Sequence, residues 1–238
     1  MHFKSTGLVG NGKWGKILKK KIKTNSNLIF TANSKSKYFK KISQIDWIFI
    51  ATPDSTHYKI VNKCLDKKIN IFCEKPLTKT YSQSLKLFEK AKKNQIRLYV
   101  DQIQCFLKKK IKLNKNNYIT RQKKGYGSIK NLLFRFAYHD FYFLYDHLKN
   151  KKIKNIEIIN VKDNLKFKIN FEKISILFYY NLNSKKRIHK INSTNLITKK
   201  DILSKMIKDV LSEKVDFEDN KNRSLFANKL IDKIVKKL

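Results

Sequence analysis

Apolar and polar positions alternate along the first half of the chain in two rhythms. Short β-prone runs at 3–9, 27–32, 47–51, 69–73 and 97–100 are separated by longer stretches with helical periodicity at 14–22, 57–66 and 81–93. In the last of these, Tyr81, Leu85, Phe88 and Ala91 recur at helical intervals and form one apolar stripe between lysine-rich faces, the pattern of a helix packed on a core. Strands alternating with helices of this length predict a parallel sheet with crossover helices. Beyond Gly125-Tyr126-Gly127 the rhythm changes. Long β-prone runs at 129–138, 153–162, 165–169, 174–180 and 187–191 predict a mostly antiparallel sheet, with a tight turn at Asp163-Asn164 and a loop over 181–186. One helix is expected at 139–148, and two more at 201–213 and 222–236. The resulting fold class is α/β: a Rossmann-like parallel-sheet domain at 1–122, followed by an α+β domain with an open, mostly antiparallel sheet at 123–238.

The glycines give the first half a chemistry. Only six occur in 238 residues, and Gly10-Asn11-Gly12-Lys13-Trp14-Gly15 spells G-x-G-x-x-G between the first predicted strand and the first predicted helix. In that context the glycines permit a tight turn, close approach of backbone to a pyrophosphate and close packing of helix on strand, while the helix N-terminus supplies N–H donors. Gly10, Asn11, Gly12, Trp14 and Gly15 are therefore candidate dinucleotide-binding residues. The end of the second strand reads Thr31-Ala32-Asn33-Ser34-Lys35-Ser36 and carries no carboxylate to bind a ribose 2′-hydroxyl. Ser34 and Lys35 suit a 2′-phosphate instead, so the cofactor is read as NADP or NAD, with NADP favoured.

Composition sets bounds on the alternatives. A hydrophobic content of 41% is enough for a buried core. The formal net charge of +37 would attract anions and nucleic acid non-specifically. Yet arginine, the residue favoured for bidentate base recognition, occurs only at positions 97, 121, 135, 187 and 223. Abundant Lys, Asn, Ile and Phe with scarce Gly, Pro and Ala is the signature of an AT-rich coding sequence, so no specific nucleic-acid partner is assigned; a basic nucleic-acid-binding protein remains the third reading. Cys64, Cys73 and Cys105 lack metal or disulfide spacing, no metal site is expected, and the first strand begins without an apolar leader. A reducing, cytoplasmic location and no membrane insertion are the expectations.

Two further segments carry a resemblance. Ile50-Ala51-Thr52-Pro53-Asp54-Ser55-Thr56-His57 and Cys73-Glu74-Lys75-Pro76-Leu77 follow the glycine motif at the ends of the third and fourth predicted strands. In order and spacing the three motifs resemble the glucose-fructose oxidoreductase, inositol dehydrogenase and MocA family over residues 1–105, with a fifth-strand ending at Tyr99-Val100-Asp101 like that of some members. The resemblance implies a T-P-x-x-x-H segment beside the nicotinamide, hence Thr52, Pro53 and His57 at the cofactor. It also implies an E-K-P turn with Glu74 at the cofactor and Lys75 in the active site. It implies a second domain whose first helix opens near an active-site histidine, and Ala137-Tyr138-His139-Asp140 resembles that point.

Lys75 and His139 are thus the candidate catalytic residues, His139 as acid–base group and Lys75 as the cation that stabilises negative charge on the reacting oxygen. Asp140 would fix the helix start or orient a partner. The active site is expected at the junction of the domains and homo-oligomerisation through the second sheet. The function implied is hydride transfer between the nicotinamide and a hydroxyl or carbonyl of a sugar, cyclitol or nucleotide sugar. The sequence departs from the family where an aspartate four residues before the histidine is replaced by Arg135. The loop before this helix is absent, and the second half is short. These departures motivate the alternative of a cofactor-binding but catalytically degenerate or regulatory member. His2, His147 and His189 are assigned no role.

Overall fold

The computed structural model describes residues 3–33, 36, 38–107, 109–125, 128–198 and 200–238. Contacts divide the chain into two compact units, Met1–Phe106 with Asp201–Asn228, and Leu107–Lys200 with Lys229–Leu238. The return of Asp201–Asn228 to the first unit is a departure from the expected division at 122/123, because a linear reading cannot see which sheet a late helix covers.

The first unit is a five-stranded parallel sheet in the order β2-β1-β3-β4-β5, built from β1 Ser5–Val9, β2 Asn27–Ala32, β3 Trp47–Ile50, β4 Asn70–Cys73 and β5 Leu98–Val100. Helices α1 Lys13–Asn25, α2 Asp54–Asp66 and α3 Tyr81–Lys93 form the crossovers. Strands β1, β3, β4 and β5 are buried on both faces, and their successive side chains enter different cores, while edge strand β2 exposes Asn27 and Ile29 on one face. Trp47 and Phe49 pack with Leu18 and Ile22 of α1 and with Leu203, Met206 and Ile207 of α7 Ile202–Leu211. Ile48 and Ile50 pack with Ile60 and Val61 of α2 and Phe88 and Ala91 of α3. Leu8 and Val9 of β1 divide in the same way.

Edge strand β5 is covered by a side chain. Asn220 of α8 Phe217–Val235 accepts from the Val100 N–H at 2.9 Å and donates to the Val100 carbonyl at 2.9 Å, as a neighbouring strand would.

The second unit is a six-stranded mixed sheet in the order β11-β10-β6-β9-β8-β7. It comprises β6 Asn116–Lys124, β7 Ile153–Asn160, β8 Leu165–Phe171, β9 Ile174–Asn181, β10 Asn183–Ile191 and β11 Thr194–Asn195. Every pairing is antiparallel except β6 with β9. Phe136, Phe141, Phe167, Phe178 and Tyr180 form its aromatic core.

Three expectations are corrected here. The run 129–138 is helical: α4 Ile129–Leu132 passes through a π-helical turn, Leu133–Ala137, into α5 Tyr138–Phe143 and α6 Tyr145–Leu148. Nearly every residue from Leu132 to Leu144 is buried, so the segment shows no polar face from which a helical period could be read. Strand β6 was not expected, because its sequence is polar. The supposed loop over 181–186 is mostly strand, with Leu182 alone separating β9 from β10.

Candidate cofactor and active site

In the first unit the candidate residues fall on one edge of the sheet. The residue after each strand donates its N–H to the neighbouring strand: Gly10 to Ala32, Ala51 to Val9, Glu74 to Ile50 and Asp101 to Cys73, at 2.8–2.9 Å. This extends the ladder by one step and sets Gly10, Ala51, Glu74 and Asp101 in a row along the carboxyl ends of the strands. Strand order reverses between β1 and β3, the switch point where open α/β sheets take ligands.

The glycine turn fits a pyrophosphate on its own geometry. Gly10 has φ +127, and a Cβ there would collide with the Ala51 carbonyl; one on Gly15 would collide with the Gly10 carbonyl, so the turn closes only with glycine. Gly12 behaves in the opposite way. It is the N-cap of α1 with no side-chain cap, and a Cβ built on it meets nothing within 4 Å. The first N–H groups of α1 thus face open space beside a residue without a side chain, the arrangement that receives an anion. Asn11 is exposed in the same turn, and Trp14 projects from the first turn of α1, where its indole Nε1–H donates to Glu74 Oε1. Ser34 and Lys35 lie outside the described residues.

The turns after β3 and β4 are joined by His57. Its ring is buried, with Nε2 2.9 Å from the Thr52 carbonyl and Nδ1 2.8 Å from the Pro76 carbonyl. Burial lowers its pKa against the raising effect of those carbonyls. Each ring nitrogen lies against a backbone carbonyl and the neutral ring donates to one of them, so His57 links the Thr52-Pro53 turn to the Glu74-Lys75-Pro76 turn. The Thr56 hydroxyl donates to Thr52 Oγ1 at 2.7 Å and secures the same corner. Lys75 is partly exposed and precedes a cis peptide bond to Pro76.

Glu74 also meets a carboxyl group that sequence reasoning did not assign. Asp101 follows the adjacent strand β5, and its charge acts on Glu74. Burial, then the Asp101 charge, pushes the Glu74 pKa well above its usual value, and burial raises that of Asp101.

In the second unit, His139 lies on α5, 8% exposed, two residues after the π-helical segment. Beside it in sequence, Asp140 is the centre of a buried cluster. Its Oδ1 is 2.8 Å from His189 Nε2 and 3.5 Å from Arg121 Nη1, and its Oδ2 accepts from the Tyr180 hydroxyl at 2.9 Å. Arg121 Nη1 also donates to the Phe136 carbonyl at 3.2 Å. Burial and the adjacent Asp140 charge raise the Tyr180 pKa well above its usual value, keeping the phenol a donor. The cluster gives His189 a partner, correcting the reading that left it without one. His189 is 49 residues from Asp140 in sequence and reaches it only through β10. Arg135 is exposed on the π-helical turn. Among the described residues no group of three or more His, Cys, Asp or Glu could hold a metal ion, and no helix is long and apolar enough to cross a membrane.

Comparison with known proteins bears on these sites. Residues 7–102 match the model of the GFO_IDH_MocA oxidoreductase family, described as an NAD-binding Rossmann fold. An uncharacterized oxidoreductase of Schizosaccharomyces pombe is 36% identical over 64 residues, which span 27% of this chain and only 17% of that protein. Among solved structures, UDP-N-acetylglucosamine 3-dehydrogenase of Acidithiobacillus ferrooxidans superposes with a TM-score of 0.78 at 13% identity, over 96% of this chain and 97% of that one. The WlbA dehydrogenase of Thermus thermophilus, solved with NAD and UDP-GlcNAcA, gives 0.76 at 14% identity, over 96% and 94%. At these identities the structural likeness establishes the two-domain fold. With the family model on the glycine turn and on the two turns that His57 joins, residues 7–102 are similar to the NAD-binding Rossmann domain of the Gfo/Idh/MocA oxidoreductase family.

Proposed function

We propose that the protein is an NAD(P)-dependent oxidoreductase that moves a hydride between the nicotinamide and a hydroxyl or carbonyl carbon of a sugar, cyclitol or nucleotide sugar. The observation that carries this reading is the uncapped α1 N-terminus at Gly12, open to an anion on the same sheet edge as the Glu74-Lys75-Pro76 turn. Gly10, Asn11, Gly12, Trp14 and Gly15 would hold the pyrophosphate side of the cofactor, and Thr52, Pro53, His57, Glu74 and Lys75 would frame its nicotinamide side. The bound nucleotide supplies a carbon that accepts or donates hydride. NADP is favoured over NAD because 31–36 contains no carboxylate to repel a 2′-phosphate. The sugar-type substrate is supported by the names of the structural neighbours, a UDP-N-acetylglucosamine dehydrogenase and a dehydrogenase solved with UDP-GlcNAcA.

The chain's own work is proton and charge management. His139 would take the hydroxyl proton as hydride leaves and return it in the reverse direction, and Lys75 would stabilise the developing negative charge on that oxygen. Replacing Lys75 by Met or His139 by Gln is expected to lower kcat about 10²–10⁴-fold. Nucleotide Kd should move less than about threefold, since only transition-state interactions are lost. Unchanged turnover in both variants would refute these roles. A second reading, cofactor binding without catalysis, is favoured by one observation: the position four residues before His139 is the exposed Arg135. It predicts saturable nucleotide binding and no turnover across a panel of sugars, cyclitols and nucleotide sugars.

A further inference from the structure

The turn after β4 is held by a helix that lies more than a hundred residues further along the chain. Glu74 and Lys75 are partly exposed, whereas Pro76, Leu77 and Thr78 are buried. The Pro76 carbonyl lies 2.8 Å from the His57 ring of α2. Two residues on, the Thr78 carbonyl accepts from the Asn228 amide of α8 at 3.0 Å. Around that bond Ser84 Oγ of α3 is 2.8 Å from Thr78 Oγ1 and 3.3 Å from Asn228 Oδ1, while the Thr78 hydroxyl donates to the Thr80 carbonyl at 2.8 Å. Two hydroxyl protons serve those three contacts, so the Ser84 proton is shared between Thr78 and Asn228. The amide bond to the Thr78 carbonyl has no such competitor and is the firm link.

The whole arrangement lies within the first unit and is dry, with Asn228 and Ser84 0% exposed and Thr78 1%. Its neighbours on α8, Leu225 and Ala227, are buried apolar side chains. An aliphatic residue at 228 would serve packing without the cost of desolvating an amide, so the polar group is explained by what it bonds. Eight residues earlier on the same helix, Asn220 bonds Val100 at the end of β5. Helix α8 thus reaches the chain at the carboxyl ends of both β4 and β5.

Resting on the nicotinamide reading, we propose that Asn228 is a positioning residue for the cofactor: by holding Thr78 it sets the Glu74-Lys75-Pro76 turn where it meets the nicotinamide half of the nucleotide. Asn228 acts through Glu74 and Lys75. The glycine turn, and with it the pyrophosphate half, does not depend on it.

The two halves are separated by measuring Kd on the intact protein for NADPH against 2′-phospho-ADP-ribose, and for NADH against ADP-ribose, the fragments that lack the nicotinamide. In the wild type the whole nucleotide should bind more tightly than its fragment. In Asn228→Ala that advantage should shrink about tenfold, with the fragment Kd held within about twofold. Asn220→Ala, which strips two buried bonds from the same helix, is the control for general loosening and should leave the advantage unchanged. Ser84→Ala, a smaller change that removes a partner of the Asn228 carbonyl oxygen, should shrink it about threefold and carries the test if Asn228→Ala does not fold. An advantage that survives in Asn228→Ala, or in Ser84→Ala where that variant carries the test, overturns the positioning role alone; so does an equal loss in Asn220→Ala. A wild type that binds the whole nucleotide no more tightly than the fragment, or binds neither, overturns the nicotinamide reading and the positioning role together.

Discussion

At the scale of single residues, two histidines make buried contacts that their places in the sequence do not announce. His57 stood out because of its place in T-P-x-x-x-H, and the structure places it as a clamp between two backbone carbonyls. His57→Ala should therefore loosen both turns at once, destabilising the protein by about 1–3 kcal/mol and raising nucleotide Kd. Urea unfolding beside a binding titration checks this; an unchanged midpoint would remove the clamp. His189 carried no sequence signal, since neither its neighbours in β10 nor its spacing points to Asp140. Truncating Asp140 leaves Arg121 and His189 facing each other without an anion, and Asp140→Ala should cost about 3–5 kcal/mol. A midpoint within error of wild type would show that the cluster contributes no stability. The glycine turn was readable because its chemistry is local, whereas the Glu74–Asp101 pair is made by strand order, which no single motif spells.

At the scale of elements, periodicity succeeded where one face of an element meets solvent. Helix α3 runs from 81 to 93 as its stripe predicts, and β2 from 27 to 32. It failed where burial is complete or polar groups stand inside. The helical run through the π turn has no exposed stripe, so β-prone composition misdirected the reading. Strand β6 hides its signal because a polar residue is buried in it. Asn117 is 2% exposed, with its amide bonded to the Asn114 and Ser175 carbonyls at 2.8 and 3.1 Å, a fit that only the folded sheet provides. Asn220 is a comparable case on α8. Its removal in Asn220→Ala strips both partners from Val100 and should cost about 3 kcal/mol, with faster amide exchange in β5. Exchange protection of Val100 equal to that of wild type would contradict the capping role.

At the scale of the whole molecule, late helices return to the first unit, so the Rossmann sheet depends on chain far from its motifs. Stability should also depend on pH from both sides. The Glu74 pKa is raised above its usual 4.5, so its contribution is fully present below that value and is lost as pH rises towards the folded pKa. The His57 pKa is lowered from 6.5, so its contribution is present above that value and is lost as pH falls towards the folded pKa. Across mildly acidic to alkaline pH, the urea midpoint of Glu74→Gln/Asp101→Asn should accordingly gain on wild type as pH rises; a constant or reversed difference would contradict the sign.

The central claim, that the open α1 N-terminus at Gly12 binds a dinucleotide, is tested most directly by titrating the protein with NADPH and NADH at moderate salt, following nicotinamide fluorescence, beside Gly12→Val. A Cβ at Gly12 meets no protein atom within 4 Å, so this variant should lose less than about 1 kcal/mol of stability through the weaker N-cap. The account predicts saturable binding in the wild type, with NADPH the tighter, and its loss in the folded variant. Binding that survives the substitution, or that collapses only as salt rises, would contradict the site and return attention to the +37 charge.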